Sequence, residues 1–312
     1  MPLSDKLSPL VAPFRVLVTG ANGLIGRALV PELQARGCQV TRLVHGVASG
    51  PGDIGWNSRI GALAFPVGTT CDAVIHLAGE NVAAGRWTVA RCTAIRDSRV
   101  AGTRKLVAAL ATLPAPPRVF VSASAIGYYG DRGEEALLES AAPGTGFLAE
   151  TCVAWEREAA AAATVLGARV VIGRIGLVLS GEGGALLKML PVIKSGLGGP
   201  LAGGRQWMSW VSATDVVAML VAAVFEPRWS GPVNLVSPGP VTNAAFTAEL
   251  ARLVHRPALL PVPRWVLQAR FGRMADEALL ASARVVPQVL TAGGFAYAHP
   301  QLESALRAAL GR

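Results

Sequence analysis

Lysine is scarce in this 312-residue chain: Lys6, Lys105, Lys188 and Lys194 are all there is, and none falls between positions 106 and 187. Cysteine and histidine are as rare. Cys38, Cys71, Cys92 and Cys152 form no Cys-x-x-Cys pair, and His45, His76, His255 and His299 do not cluster. That spacing argues against a zinc site or a disulfide framework, so no metal is expected and the cysteines read as buried free thiols. Charged residues make up only 16% of the chain, and the net charge of +9 is spread without a Lys/Arg run. This implies a generally basic surface and no nucleic-acid partner; phosphorylated ligands account for some of the arginines. No apolar stretch reaches the roughly 18 uncharged residues of a membrane span, and Val216 to Phe225 reads as a buried helix. No membrane partner is expected. The first 13 residues carry no cationic segment followed by an apolar one, so no signal peptide is visible and a cytoplasmic location is expected.

What is abundant is apolar surface, at 52% of residues, enough for one large α/β domain and a smaller appendage. The most informative stretch is residues 14–30. Arg15 to Thr19 is a short β-branched apolar run, as for a buried parallel strand. Gly20, Gly23 and Gly26 follow at three-residue spacing, and an apolar helical pattern resumes up to Gly37, a C-cap. Gly20 permits the tight turn, Gly23 lets a pyrophosphate approach helix N–H groups, and Gly26 lets the helix pack on the sheet. The pattern predicts a dinucleotide site on a doubly wound, Rossmann-like α/β fold; the alternative is a purely structural strand–helix turn.

Residues 38–44 read as the second strand. Its end normally carries an acid for the adenosine ribose when the cofactor is NAD. No acid lies between Glu32 and Asp53; Arg42 and His45 stand there instead. A cation attracts a 2′-phosphate, so NADP(H) is expected over NAD, unless Arg42 faces solvent and His45 merely ends the strand. Cys71 to Asn81 is the next strand and loop, with Leu77, Ala78 and Gly79 small enough to lie against the cofactor. The strand from Arg118 runs into Ser124, Tyr128 and Tyr129, side chains able to bond a substrate oxygen or exchange its proton. A helix is expected from Leu148 to Leu166. Arg174 sits inside the apolar strand Arg169–Leu179 and needs a phosphate or a structural salt bridge. The glycine-rich stretch 181–204 suits a substrate lid. Helices are expected at Val216–Phe225, capped by Thr214 or Asp215, and after a Thr242 cap. From Arg256 prolines mark a linker to short helices at Trp265–Phe271, Met274–Ala283 and Leu302–Leu310.

Together these residues resemble the extended short-chain dehydrogenase/reductases, in particular the group called epimerase family proteins (nucleoside-diphosphate-sugar epimerase-like, cell-division-inhibitor-like). The motifs that carry the resemblance are Thr19-Gly-Ala-Asn-Gly-Leu-Ile-Gly26, His76-Leu-Ala-Gly-Glu-Asn81, Gly85-Arg-Trp87, Asp97-Ser-Arg99, Ser122 to Asp131, Leu197 to Leu201, Gly204 to Trp210 and Phe271 to Asp276. The resemblance covers about residues 14–310. It implies a Rossmann domain over 14–255 with substrate-side insertions around 181–210, and a small, mostly helical C-terminal domain over 256–312, after a loose extension at 1–13. It implies cofactor contacts at Thr19, Gly20, Asn22, Gly23, Leu24, Ile25 and Gly26, at Val44 and His45 with help from Arg42, at Leu77, Ala78 and Gly79, and at Arg99 and Arg174. A monomer or homodimer acting on a small molecule is the expected assembly. Two positions depart from the group: His45 replaces a basic residue, and Ser212 stands where histidine is common.

Active members of the superfamily use Tyr-x-x-x-Lys on a helix, which places proton donor and lysine on one face. The lysine gap falls on that helix, and it carries no tyrosine either. Ser124, Tyr128 and Tyr129 are therefore the catalytic candidates for hydride transfer at a hydroxyl or carbonyl carbon. The other reading is a cofactor-binding regulatory or redox-sensing module without turnover.

Overall fold

The computed structural model describes residues 13–48, 50, 52–56 and 63–312. The expected extension at 1–13 lies, but for Pro13, outside the described residues. Seven strands form one parallel sheet: β1 (Arg15–Thr19), β2 (Gln39–His45), β3 (Asp53–Trp56), β4 (Ala73–His76), β5 (Val119–Ala125), β6 (Arg169–Ile175) and β7 (Gly231–Leu235). Their order is β7-β6-β5-β4-β1-β2-β3. The longer helices are α1 (Leu24–Ala35), α2 (Val89–Leu110), α3 (Phe147–Ala160), α4 (Gly184–Lys194), α5 (Ala213–Phe225), α6 (Asn243–Leu253), α7 (Arg264–Phe271) and α8 (Leu302–Ala309).

The strands read as continuous apolar runs because both faces of the sheet are covered. Side chains alternate across a strand. Val16 and Val18 point into a layer with Leu29 and Leu33 of α1 and Val216 and Leu220 of α5. Leu17, between them, points into the opposite layer with Leu106 and Leu110 of α2 and Ala159 of α3. Burying one such aliphatic side chain stabilises the fold by about 1.5–3 kcal/mol. The result is the doubly wound α/β architecture that the glycine spacing predicts.

A second core lies beyond the strand ends. Leu186 and Leu190 of α4, Trp210, Phe246 and Leu250 of α6, and Leu306 of α8 share it. The final helix is thus packed with the segments around 181–253. Within the C-terminal region, Arg284–Val285 pairs in parallel with Ala136–Leu137, and Leu201 bridges Val262.

Three local expectations change. The helix at Leu148–Leu166 is two, Phe147–Ala160 and Ala162–Leu166. Helix α5 is capped by Ser212, whose hydroxyl accepts the Asp215 N–H at 2.9 Å. Asp215 is unavailable as a cap, since its carboxylate accepts the N–H groups of Ala298 and His299. The run Met274–Ala283 forms only a short wide turn, Ala275–Leu279, because Ser282 is drawn back to Asp131 and Gly133. Thr242 caps α6 as expected, accepting the Ala245 N–H.

Candidate functional site

Strand order reverses between β1 and β4, and a crevice opens there at the carboxyl ends of the strands. Gly20 turns the chain out of β1 with φ +68°. A Cβ at Gly20 would stand 2.7 Å from the Leu77 carbonyl carbon, and one at Gly26 2.3 Å from the Gly20 oxygen. Any side chain at either position would force β1, the β4 loop and α1 apart. Gly23 is the N-cap of α1, in extended backbone, without a side-chain cap and with no acid in the first turn. The first-turn N–H groups at Leu24, Ile25 and Gly26 and the positive end of the helix dipole are therefore free of internal anions. Bare main chain at the start of a twelve-residue helix is a cradle that a pyrophosphate fits.

The cleft above it has a volume of about 280 Å³. Gly20, Asn22, Gly23, Val44, His45, Leu77, Ala78 and Gly79 of the expected residues line it, together with Leu43, Trp56, Glu80 and Ser98, which are not among the expected cofactor contacts. Leu24 points away, toward Gly183 and Gly184, and so ties the glycine-rich stretch to the bend.

The floor between the two strand ends is held by a buried polar chain. Thr19 Oγ1 accepts the N–H groups of Leu77 and Ala78, each at 3.1 Å, and lies 2.7 Å from His76 Nδ1. A hydroxyl that accepts twice has one proton to give, so it donates to Nδ1, and Nε2–H donates to Thr103 Oγ1 at 2.9 Å. This fixes a neutral imidazole; burial, with a smaller effect from Arg99, pushes its pKa down to about 4. Thr19 therefore acts by fixing the β4 loop, which forms one wall of the cleft.

The arginines sit differently from expectation. Arg42 is held by a bidentate pair with Asp53 at 2.7 and 2.8 Å and does not line the cleft. Its register partner across β2–β3 is that same Asp53. His45, exposed, is the basic side chain that β2 delivers to the cleft. Arg99 lies beneath the β4 loop against Gly79, donates to the carbonyls of Glu80 and Ile95, and stacks over Trp155.

Arg174 is corrected from a cofactor ligand to a structural residue. It is 2% exposed and pairs in bidentate fashion with Glu156 at 2.9 and 2.8 Å. It also donates to the Tyr129 hydroxyl and the Glu139 carbonyl. Burial works against its charge, but the bonds and charge of Glu156 outweigh it and raise the pKa. Tyr129 is corrected likewise. It is fully buried, its hydroxyl lies 2.6 Å from Asn234 Oδ1, and burial raises its pKa, so it cannot meet a substrate. Tyr128 is half-buried with its ring stacked 3.5 Å from the Arg174 guanidinium carbon, and its hydroxyl makes no hydrogen bond among the described residues.

Ser124 donates to Glu156 Oε1 at 2.6 Å. A carboxylate paired with arginine only accepts, so the serine proton is committed, and Ser124 retains only acceptor capacity. It can accept from a ligand but cannot donate to a substrate carbonyl, the role the motif suggests. The face of α3 turned toward Ser124 carries Leu148, Cys152 and Glu156 at four-residue spacing. That face therefore brings neither a tyrosine nor a lysine to the serine. Burial, with the Glu156 charge adding, pushes the Cys152 thiol up to about 11. Glu156, Asn234 and His76 were legible only as residue types; nothing in their spacing marks the partners found here.

The strand order, the crevice and the glycine cradle define a protein of the Rossmann-like α/β class. Residues 16–235 match the model of the NAD dependent epimerase/dehydratase family, and residues 262–309 match a domain of unknown function, DUF1731. The chain belongs to that epimerase/dehydratase family. It is 43% identical over 291 residues to Epimerase family protein Mb2239 of Mycobacterium bovis, covering 93% of this chain and 96% of that one. The crystal structure of human epimerase family protein SDR39U1 with NADPH matches with TM-score 0.87 and 34% identity, over 96% of this chain and all of that one. A nucleoside-diphosphate sugar epimerase structure from Corynebacterium glutamicum matches with TM-score 0.78 and 35% identity, over 96% of this chain and 59% of that one.

Proposed function

We propose that this chain binds NADP(H) in the β1/β4 cleft, with the pyrophosphate on the first turn of α1 and the adenosine end toward His45. The observation that carries this is the glycine bend, where added Cβ atoms would strike backbone at 2.7 and 2.3 Å while the uncapped helix start faces an open cleft. Support for the phosphorylated dinucleotide comes from His45 at the rim and from the NADPH in the human relative's structure. When bound, NADP(H) supplies or takes a hydride at a hydroxyl or carbonyl carbon. Tyr128 is the hydroxyl available to give a proton to the substrate oxygen in the reductive direction and to regain it in reverse. Glu156 holds Ser124 as an acceptor, which suits orientation of a substrate hydroxyl.

A second reading, a cofactor-binding module without turnover, is favoured by one observation. The face of α3 turned toward Ser124 carries Leu148, Cys152 and Glu156 and brings neither a tyrosine nor a lysine to it. The two are separated by following NADPH absorbance against sugar nucleotides, ketones and aldehydes. Turnover lost in Tyr128→Phe supports the enzyme. Tight NADPH binding with no turnover by the unmodified chain supports the module and ends the enzyme reading.

A further inference from the structure

Two sequence motifs, Gly85-Arg-Trp87 and Phe271 to Asp276, have no part in the cofactor cradle, yet the fold brings them together. Arg86 donates to the Ala269 carbonyl of α7 at 3.2 Å and lies beside Gly272. Gly85, Arg86 and Trp87 belong to the loop that leaves the cleft wall at Glu80 and ends at Thr88, the cap of α2. This loop is folded on itself. Trp87 Nε1 donates to the Val82 carbonyl at 2.8 Å, and the N–H groups of Ala84 and Thr88 are bonded to the carbonyls of Asn81 and Arg86. Trp87 also rests edge-on against Phe147 at the start of α3, with ring centroids 5.2 Å apart.

Across the crevice stands α4. At its start Gly183 and Gly184 lie against Leu24 of α1, and one turn later Lys188 Nζ donates to the Ala83 carbonyl at 2.7 Å. Helix α4 thus bridges the crevice from the β1 side to the β4 side. Leu186, Leu190 and Ile193 bury it in the second core. The loop, by contrast, is fastened to α4 and α7 by two exposed cations, Lys188 and Arg86. Water replaces an exposed hydrogen bond at little net cost, whereas buried apolar side chains have no such substitute. The side of the bridge that yields is therefore the loop, turning about its Trp87 end.

We propose that residues 81–87 form a strap over the cofactor crevice, clasped by Lys188 and Arg86, whose opening sets how fast the dinucleotide enters and leaves. The proposal rests on the dinucleotide reading above and adds the moving part. None of Ala83, Arg86, Lys188 and Ala269 lines the cleft. Releasing the clasps therefore lowers the barrier in both directions and leaves affinity nearly unchanged.

The test is stopped-flow fluorescence of NADPH, mixed with the full chain and then displaced by excess NADP+. Lys188→Met and Arg86→Met should each raise the association and dissociation rates about threefold, and the double variant about tenfold, with the dissociation constant held within about twofold. Lys194→Met, at the end of the same helix, removes the same charge without a clasp and should leave the dissociation rate level. Faster dissociation with unchanged association would mark direct cofactor contacts and overturn the proposal. Hydrogen exchange gives a readout that needs no ligand: in the double variant, peptides spanning 81–88 should lose protection while 186–193 keep it. Loss in 186–193 instead would put the moving part in α4 and overturn the proposal. Failure of the parent to bind NADPH ends the dinucleotide reading and this proposal together; unchanged rates in variants of a chain that binds NADPH end this one alone.

Discussion

Replacing Glu156 by glutamine isolates the buried pair that anchors the candidate catalytic strand. The side chain keeps its length and one acceptor oxygen but loses the charge facing Arg174, which is 2% exposed. Removing one partner of a buried ion pair typically costs 3–5 kcal/mol, because the remaining charge is stranded. Arg174 retains the Tyr129 hydroxyl, the Glu139 carbonyl and the Tyr128 ring, which places the expected loss near the low end, about 3 kcal/mol. For a chain of this size that corresponds to a melting temperature lower by about 5 °C. The control is Glu156→Leu with Arg174→Met. Removing both charges leaves only neutral groups without partners, so the double variant should lose less than Glu156→Gln alone. Urea unfolding followed by far-ultraviolet circular dichroism measures both. A Glu156→Gln protein within about 0.5 kcal/mol of the parent, or a double variant that loses the sum of its singles, would refute the claim that charge stranding dominates.

Other expectations follow from the same geometry. His76 is held neutral, so the unfolded chain binds its proton more readily than the fold does. The stability this contributes is complete above the ordinary imidazole pKa of about 6.5 and is lost as pH falls toward about 4, roughly 3 kcal/mol in all. Urea midpoints at neutral pH and near pH 4 should separate accordingly for the parent and much less for His76→Asn; parallel curves would count against a neutral imidazole in the fold. Gly20→Ala should both destabilise the fold, by about 1–3 kcal/mol, and weaken NADPH binding, since its Cβ meets the Leu77 backbone. Unaltered NADPH titration in that variant would contradict the cradle. His45→Ala should erode the preference for NADPH over NADH, while Arg42→Ala, whose guanidinium serves Asp53, should change stability more than selectivity. The reverse ranking in paired dissociation constants would reassign the phosphate-reading residue.

Much of the fold was legible because it is local or periodic. The run Arg15–Thr19, the three glycines and the α1 pattern specify strand, turn and helix within twenty residues, and the structure places each as read. Apolar runs at β4, β5 and β6 likewise announce buried strands. The errors lie where a side chain's partner is distant in sequence. Arg174 reads equally well as a phosphate ligand or a salt bridge until Glu156 is found beside it, and Ser124 reads as a donor until the same carboxylate takes its proton. Tyr128 and Tyr129 are indistinguishable in sequence, yet one is half-buried and the other fully buried, because the short turn Ile126–Tyr129 sends successive side chains in different directions. Arg42 was misassigned for the same reason: Asp53, eleven residues on, is its neighbour across β2–β3. Trp56 has no motif at all, and only its place in the cleft marks it.

The central claim is that uncovered main chain at the start of α1 receives a dinucleotide. Isothermal titration of the full chain with NADPH, repeated on Gly23→Glu, tests it most directly, because the added carboxylate puts negative charge where the pyrophosphate belongs. One NADPH bound per chain by the parent and none measurable in the variant is the predicted result; no binding by the parent, or undiminished binding by Gly23→Glu, would contradict it.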